Sequence, residues 1–258
     1  MSVLKPVIFC SILFFGLFIC LPASAGLPDT IDKIKPSIVG VGTMLKMRRP
    51  PAQLMGTGFA VANGRYVITN HHVIPEELDH DQKESLVVFI GTGRDSIIRS
   101  AKLLKSDKQH DLALLEISDF RLPAMQLGTM KEVREGELYA FTGFPIGAVL
   151  GLYPVTHRGI VSAISPVVIP VSSTRQLDVA MIRRLQNTFN IIQLDATAYP
   201  GNSGSPLYDA ETGVVLGVIN KVFVKETKEK VLEKPSGITY AIPVTHVRAL
   251  LKDANVNF

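Results

Sequence analysis

The chain has 258 residues, of which 47% are hydrophobic and 19% charged, with a formal net charge of +4. This composition excludes an intrinsically disordered protein, and the 20 glycines and 16 prolines argue against a long coiled coil or helical bundle. No run of like charge is long enough to indicate a nucleic-acid-binding tail, so we expect no nucleic-acid partner.

The first 25 residues have the pattern of a targeting segment. Lys5 precedes an apolar stretch, Val7–Leu21, and Ala23-Ser24-Ala25 follows it. A short positive region, an apolar core and a small-x-small site predict a secretory signal peptide over residues 1–25. The stretch is shorter than the roughly 20 residues of a membrane-spanning helix. We therefore expect an exported protein, periplasmic or secreted, with no stable membrane span after cleavage; an uncleaved anchor is the alternative.

Both cysteines of the chain, Cys10 and Cys20, lie inside this segment. Cleavage after Ala25 would leave a mature domain, residues 26–258, without a thiol or a disulfide. Four histidines of the mature chain are not spaced along the sequence as metal ligands are, namely His80, His110, His157 and His246. We expect these to be surface or structural residues, and we expect neither a metal nor an organic cofactor.

The mature sequence contains many short apolar runs that predict β-strands. They are rich in Val, Ile and Thr and include Ile38–Thr43, Thr57–Ala62, Tyr66–Thr69, Leu86–Ile90, Leu112–Ile117, Gly159–Ala163, Ile191–Ala196 and Val214–Asn220. Asn63-Gly64, between two of the runs, is typical of a tight hairpin. Helical patterns are confined to Pro28–Ile34, Leu177–Asn187 and Thr245–Asp253. A break near Leu122–Arg134 separates two halves, so the pattern predicts an all-β fold with two barrel-like lobes.

Gly201-Asn202-Ser203-Gly204-Ser205-Pro206 is the first of three motifs that could carry chemistry. A serine hydroxyl attacks a carbonyl efficiently only when a base removes its proton and nearby amides stabilise the developing oxyanion. The flanking glycines would let a substrate carbonyl approach the N–H groups of Gly201 and Ser203. The alternative is a surface turn, which the same composition also forms.

The other two motifs put an imidazole and a carboxylate at strand ends. His71 and His72 follow the run Tyr66–Thr69, and Asp111 opens the run Leu112–Ile117. The imidazole could act as a general base, and the carboxylate behind it could fix its tautomer. The alternatives are surface or satisfied histidines and a strand-edge aspartate. Histidine, aspartate and serine nevertheless come in the order of the chymotrypsin-type triad, which favours the catalytic interpretation.

Ten short motifs run along nearly the whole mature chain: Leu27–Asp29, Lys35–Val39, Gly56–Phe59, Thr69–Val73, Ser106–Asp107, Asp111–Leu115, Thr142–Gly147, His157–Ser162, Gln193–Ala196 and Tyr240–Pro243. In number and order they resemble the protease domain of the HtrA/Deg group within the trypsin-like peptidases. The resemblance implies two six-stranded antiparallel β-barrels of the chymotrypsin type, at about residues 37–125 and 137–243, followed by a short C-terminal helix.

The resemblance also implies roles for the site residues. Ser203 becomes the nucleophile, His72 rather than His71 the base, and Asp111 the residue that orients and stabilises the imidazolium. The N–H groups of Gly201 and Ser203 would form the oxyanion hole.

The same resemblance implies a pocket for the residue that precedes the scissile bond. Its lining would be uncharged and would consist of Thr197, Ala198, Val222 and Phe223. An unpaired charge buried there would cost several kcal/mol. We therefore expect cleavage of polypeptides after small or medium apolar residues.

The sequence departs from the family at three places. Ser205 stands where the family usually has glycine, and no aromatic residue between Ala25 and Phe59 supports a trimer. The sequence ends at Phe258, just after the predicted terminal helix, so we expect no PDZ domain. The oligomeric state, monomer or trimer, is therefore open. We expect a serine endopeptidase that acts on unfolded or exported proteins. Two alternatives are a catalytically silent fold that binds polypeptides as a chaperone or adaptor, and an esterase or narrow processing enzyme that acts on one partner.

Overall fold

The computed structural model describes residues 26–146, 151–166, 188–220 and 237–258. Within these ranges, helix α1 covers Leu27–Ile34 and helix α2 covers Val244–Asp253, close to the predicted bounds. No helix among the described residues is long and apolar enough to cross a membrane. The predicted signal peptide, the predicted helix Leu177–Asn187 and the pocket residues Val222 and Phe223 lie outside the described residues.

The first barrel is built from strands β1 (Ile38–Met44), β2 (Ala52–Val61), β3 (Tyr66–Asn70), β4 (Ser85–Ile90), β5 (Ile97–Asp107) and β6 (Leu112–Ile117). All neighbouring pairs are antiparallel, and the barrel closes in the order β1-β2-β3-β6-β5-β4. The predicted hairpin joins β2 to β3, with Val61 opposite Tyr66. Gly64 in its turn has φ +82°, and a Cβ there would lie 2.0 Å from the Leu122 carbonyl oxygen. The turn therefore needs glycine.

The second barrel is built from strands β7 (Leu138–Gly143), β8 (Val155–Pro166), β9 (Asn190–Asp195), β10 (Pro206–Asp209), β11 (Val215–Asn220) and β12 (Ile238–Pro243). It is also antiparallel throughout and closes in the order β10-β11-β12-β9-β8-β7. The prediction of two six-stranded antiparallel barrels with a short C-terminal helix is confirmed.

Three apolar clusters among the described residues hold the fold together. One fills the first barrel around Val41, Val88 and Leu115, and a second fills the other barrel around Phe141 and Ile192. The third lies between the barrels and combines residues of both with the buried face of α2 (Ile38, Phe59, Ile68, Leu112, Phe144, Tyr208, Val218, Ile242, Val247 and Leu251). Because burial of apolar surface is the main favourable term in folding, this shared cluster docks the barrels against each other and fixes the loops at their junction.

Candidate active site

The antiparallel pairing of β3 with β6 brings His72 and Asp111 together. Asn70 at the end of β3 lies opposite Leu112 at the start of β6, so the short helical turn His71–Val73 follows directly beside Asp111. The His71 N–H and the Asn70 amide each donate to the Asp111 backbone carbonyl oxygen at 3.0 Å. These backbone contacts fix Asp111, which has φ +52°, at the junction of the barrels.

Among the described residues, three donors reach the Asp111 carboxylate. The His72 backbone N–H lies 2.9 Å from Oδ1, the His72 Nδ1 lies 2.6 Å from Oδ2, and the Asn220 amide lies 2.7 Å from Oδ2. A carboxylate only accepts hydrogen bonds, so the contact selects the tautomer of a neutral His72 that donates from Nδ1 and keeps the lone pair on Nε2. The arrangement therefore leaves His72 with a free base nitrogen, which faces away from Asp111.

Ser203 lies directly after a type II turn made by Tyr199, Pro200, Gly201 and Asn202. The Asn202 N–H donates to the Tyr199 carbonyl oxygen at 3.0 Å, and Gly201 has φ +99°. Proline at the second position and glycine at the third are the residues that this turn type favours, because the third position requires a positive φ. The local sequence thus selects the turn.

Contacts with neighbouring segments fix the orientation of this turn. The Ile146 N–H donates to the Pro200 carbonyl oxygen at 2.7 Å, and the Thr57 hydroxyl donates to the Gly201 carbonyl oxygen at 2.7 Å. The C=O and N–H of a trans peptide point in opposite directions. The Gly201 N–H therefore points away from Ile146.

The backbone of Ser203 is held against the first barrel. The Thr57 N–H donates to the Ser203 carbonyl oxygen at 2.9 Å. A Cβ on Gly56 would lie 2.7 Å from a methyl group of Val73 and 3.0 Å from the Ser203 carbonyl oxygen. Gly56 thus lies between the Ser203 backbone and Val73, the residue that follows His72, and a side chain at this position would push them apart. Ser203 itself is 7% exposed.

Gly204 completes the junction. It has φ +88°, and a Cβ there would lie 2.0 Å from the Thr57 carbonyl oxygen. Its N–H donates to the Ile219 carbonyl oxygen at 2.9 Å. The glycine after Ser203 is therefore required both by its backbone conformation and by the close approach of the first barrel.

The structure places the predicted pocket residues only in part. Ala198 is buried in the apolar cluster of the second barrel, and Thr197 beside it is half-buried. The other two members, Val222 and Phe223, lie outside the described residues.

Sequence reasoning missed the partners that orient the predicted residues. Asn220, 1% exposed at the end of β11, was predicted only as the last residue of an apolar run. Thr57 belongs to the motif Gly56–Phe59 but had no predicted role. A buried polar side chain that ends an apolar run needs a hydrogen-bond partner. This signal could have identified Asn220 as a hydrogen-bonding residue, although not the carboxylate to which it donates.

A second histidine–aspartate pair lies beside the site. The His110 Nδ1 is 2.6 Å from the Asp107 Oδ2, and the His110 ring stacks on that of His246 with centroids 3.8 Å apart. The Phe189 ring meets both imidazoles edge-on. Burial, together with the nearby His110, lowers the pKa of His246 to about 4. Across the described parts of the chain, no three His, Cys, Asp or Glu side chains are grouped as metal ligands.

Comparison with known proteins agrees with the geometry. Residues 56–218 match the family model of the trypsin-like peptidase domain. The chain is 32% identical over 199 residues to a Hahella chejuensis protein named "Probable periplasmic serine endoprotease DegP-like". It is 28% identical over 249 residues to "Serine protease Do-like HtrA" of Bacillus subtilis.

These alignments cover 76% and 89% of this chain but 35% and 49% of the two relatives, so the chain spans at most about half of their length. A solved structure, the HtrA-type protease AlgW with a tripeptide, superimposes with a TM-score of 0.63 at 27% identity. That match covers 88% of this chain and 62% of the other. The two closed barrels, the residues at their junction and the family model agree, and the chain belongs to the family of trypsin-like peptidase domains.

Proposed function

We propose that this protein is an exported serine endopeptidase that hydrolyses peptide bonds with His72, Asp111 and Ser203. The observation that carries the proposal is the 2.6 Å contact between His72 Nδ1 and Asp111 Oδ2, at a junction where the Ser203 backbone bonds to the same barrel. The names of the two relatives, both serine proteases, support it.

The chemistry follows from these positions. His72 Nε2 takes the hydroxyl proton as Ser203 Oγ attacks the substrate carbonyl carbon, and the Asp111 carboxylate stabilises the imidazolium. The N–H groups of Gly201 and Ser203 donate to the oxyanion of the tetrahedral intermediate. His72 then protonates the leaving amine, an acyl-enzyme forms on Ser203, and water releases the acyl group by the reverse path.

Substrate selection is assigned to Thr197, Ala198, Val222 and Phe223. None of these side chains is charged, so a Lys, Arg or Glu side chain would be buried without a partner. Polypeptides with small or medium apolar residues before the scissile bond are the proposed substrates. The structure of the HtrA-type protease AlgW is with a tripeptide, which agrees with polypeptides as the proposed substrates.

The place of action is proposed from the sequence and the relatives. Residues 1–25 act as a signal peptide, and residues 26–258 form the peptidase domain, with barrels at about 37–125 and 137–243. The DegP-like relative is named as periplasmic, which supports export to the periplasm or beyond.

Labelling with a fluorophosphonate tests the assembled site. The reagent phosphonylates a serine only when a base and an oxyanion hole activate it, so we expect the parent protein to be labelled and Ser203→Ala to remain unlabelled. Absence of labelling of the folded parent under any condition would favour a polypeptide-binding module over a peptidase.

Casein hydrolysis separates the two neighbouring histidines. We expect His72→Ala to lose nearly all activity and the matched variant His71→Ala to lose little, because only His72 bonds to the Asp111 carboxylate. Loss of activity in His71→Ala alone would show that the base has been assigned to the wrong residue.

A further inference from the structure

The Thr57 hydroxyl links the two barrels through the turn that precedes Ser203. Thr57 belongs to β2 of the first barrel and is fully buried. Its hydroxyl donates to the Gly201 carbonyl oxygen at 2.7 Å and accepts from the Phe144 N–H at 2.9 Å. A carbonyl only accepts and an amide only donates, so the direction of both hydrogen bonds is determined.

These bonds matter because glycine does not fix the turn by itself. Gly201 can adopt positive and negative φ at similar cost, so the peptide that precedes it could rotate and reverse its N–H. The Thr57 hydroxyl holds the carbonyl on one side of Gly201, and the Ile146 N–H holds the carbonyl on the other. Phe144, two residues before Ile146, is anchored by the same hydroxyl. One side chain therefore stabilises both supports of the turn.

We propose that Thr57 is a positioning residue that holds the Gly201 N–H in the direction needed for oxyanion stabilisation. The inference rests on the proposed function, since it concerns the same site. Thr57 acts on the reaction only through the turn, while its backbone N–H separately holds the Ser203 carbonyl oxygen. Removal of the hydroxyl leaves that backbone bond in place and isolates the effect on the turn.

The test uses two pairs of variants that differ in the hydroxyl. The first pair is the parent and Thr57→Val, which keeps the shape of the side chain without its hydroxyl. The second pair is Thr57→Ser and Thr57→Ala, which differ only in the side-chain hydroxyl. Thr30→Val is the matched control, because Thr30 is also buried and its hydroxyl donates to a backbone carbonyl, that of Glu211, at 2.8 Å. Thr30 lies in α1 and has no contact with the turn among the described contacts.

Steady-state hydrolysis of an internally quenched peptide with a casein cleavage site gives the readout. Loss of one oxyanion donor lowers kcat about 10²- to 10³-fold. Thr57 acts on the donor only through the turn, so we expect a smaller fall in kcat, about 10- to 100-fold, in Thr57→Val and Thr57→Ala. KM should change by less than about threefold, since the turn supports the transition state more than the bound substrate. Thr57→Ser should restore kcat, and Thr30→Val should retain it.

The failure of this inference is distinguishable from failure of the proposed function. An unlabelled parent in the fluorophosphonate assay would overturn both. An active parent with unchanged kcat in the hydroxyl-free variants would overturn the role of Thr57 alone, as would a rise in KM without a fall in kcat. Failure of both hydroxyl-free variants to fold, while Thr57→Ser folds, would also overturn it, because the hydroxyl would then support the whole fold.

Discussion

Replacing Gly201 by alanine should disable the site by moving the turn. A Cβ at Gly201 would lie 2.2 Å from the Phe144 carbonyl oxygen, which is short of van der Waals contact by about 1 Å. The φ of +99° adds a backbone strain of about 1–2 kcal/mol for a residue with a Cβ. The turn must therefore shift or rotate, and a misplacement of about 1 Å at a reacting centre can lower the rate about 100-fold.

Gly136→Ala provides the matched control for this variant. Gly136 has a similar φ of +86°, but a Cβ there would meet no atom within 4 Å. We expect the free energy of unfolding, measured by urea titration, to fall by about 1 kcal/mol or more in both variants. Only Gly201→Ala should also lose about 100-fold in kcat on a quenched peptide substrate. Equal kcat values for the two folded variants would refute the reasoning, because the turn would then tolerate the displacement.

Three further predictions concern stability and specificity. The folded pKa of His246, about 4, lies below the ordinary value of 6.5, so the unfolded chain binds more protons between these values and the free energy of unfolding falls as pH falls. Because the ring is partly exposed, we expect a moderate effect: between pH 7 and pH 5, the free energy of unfolding from urea titrations should fall by about 1 kcal/mol more in the parent than in His246→Gln. Equal losses in the two proteins would contradict this. The Ser205 Oγ is buried with no hydrogen-bond partner among the described residues. Ser205→Ala should therefore raise the free energy of unfolding by about 1 kcal/mol. A lower urea midpoint in this variant would show that the hydroxyl does have a hydrogen-bond partner. Mass spectrometry of peptides from a digested unfolded protein should find cuts after Val, Ala, Ile or Leu, and cuts clustered after Arg, Lys or Glu would show that the pocket has been misplaced.

Strands with a buried face could be predicted from the sequence. Leu112–Ile117 was predicted with the bounds of β6, and Val214–Asn220 differs from β11 by one residue. The strand Ile97–Asp107 was not among the predicted runs. Its side chains are mostly exposed or half-buried and include Arg, Lys and Ser, so it has no apolar run, and only its pairing with β4 and β6 identifies it.

Local motifs and their order predict the site residues, whereas they do not predict which partners the supporting residues contact. The prediction of His72, Asp111 and Ser203 as the triad rests on their order along the chain and on the family resemblance. Asn220 and Thr57 reach their partners across 109 and 144 residues of sequence, and the partner of Thr57 is a backbone carbonyl that any residue possesses. No local pattern encodes such a contact, so it could be recognised only after the barrels were docked.

In the proposed peptidase, the rate of hydrolysis would depend on how the two barrels are aligned at their junction. The first barrel supplies His72 and Asp111, the second supplies Ser203 and Asn220, and hydrogen bonds of about 3 Å or less cross between them. A slide of one barrel along the other by little more than 1 Å would break these bonds together and leave every strand ladder intact. Turnover by the proposed peptidase would therefore fail before circular dichroism registered any loss of β-structure.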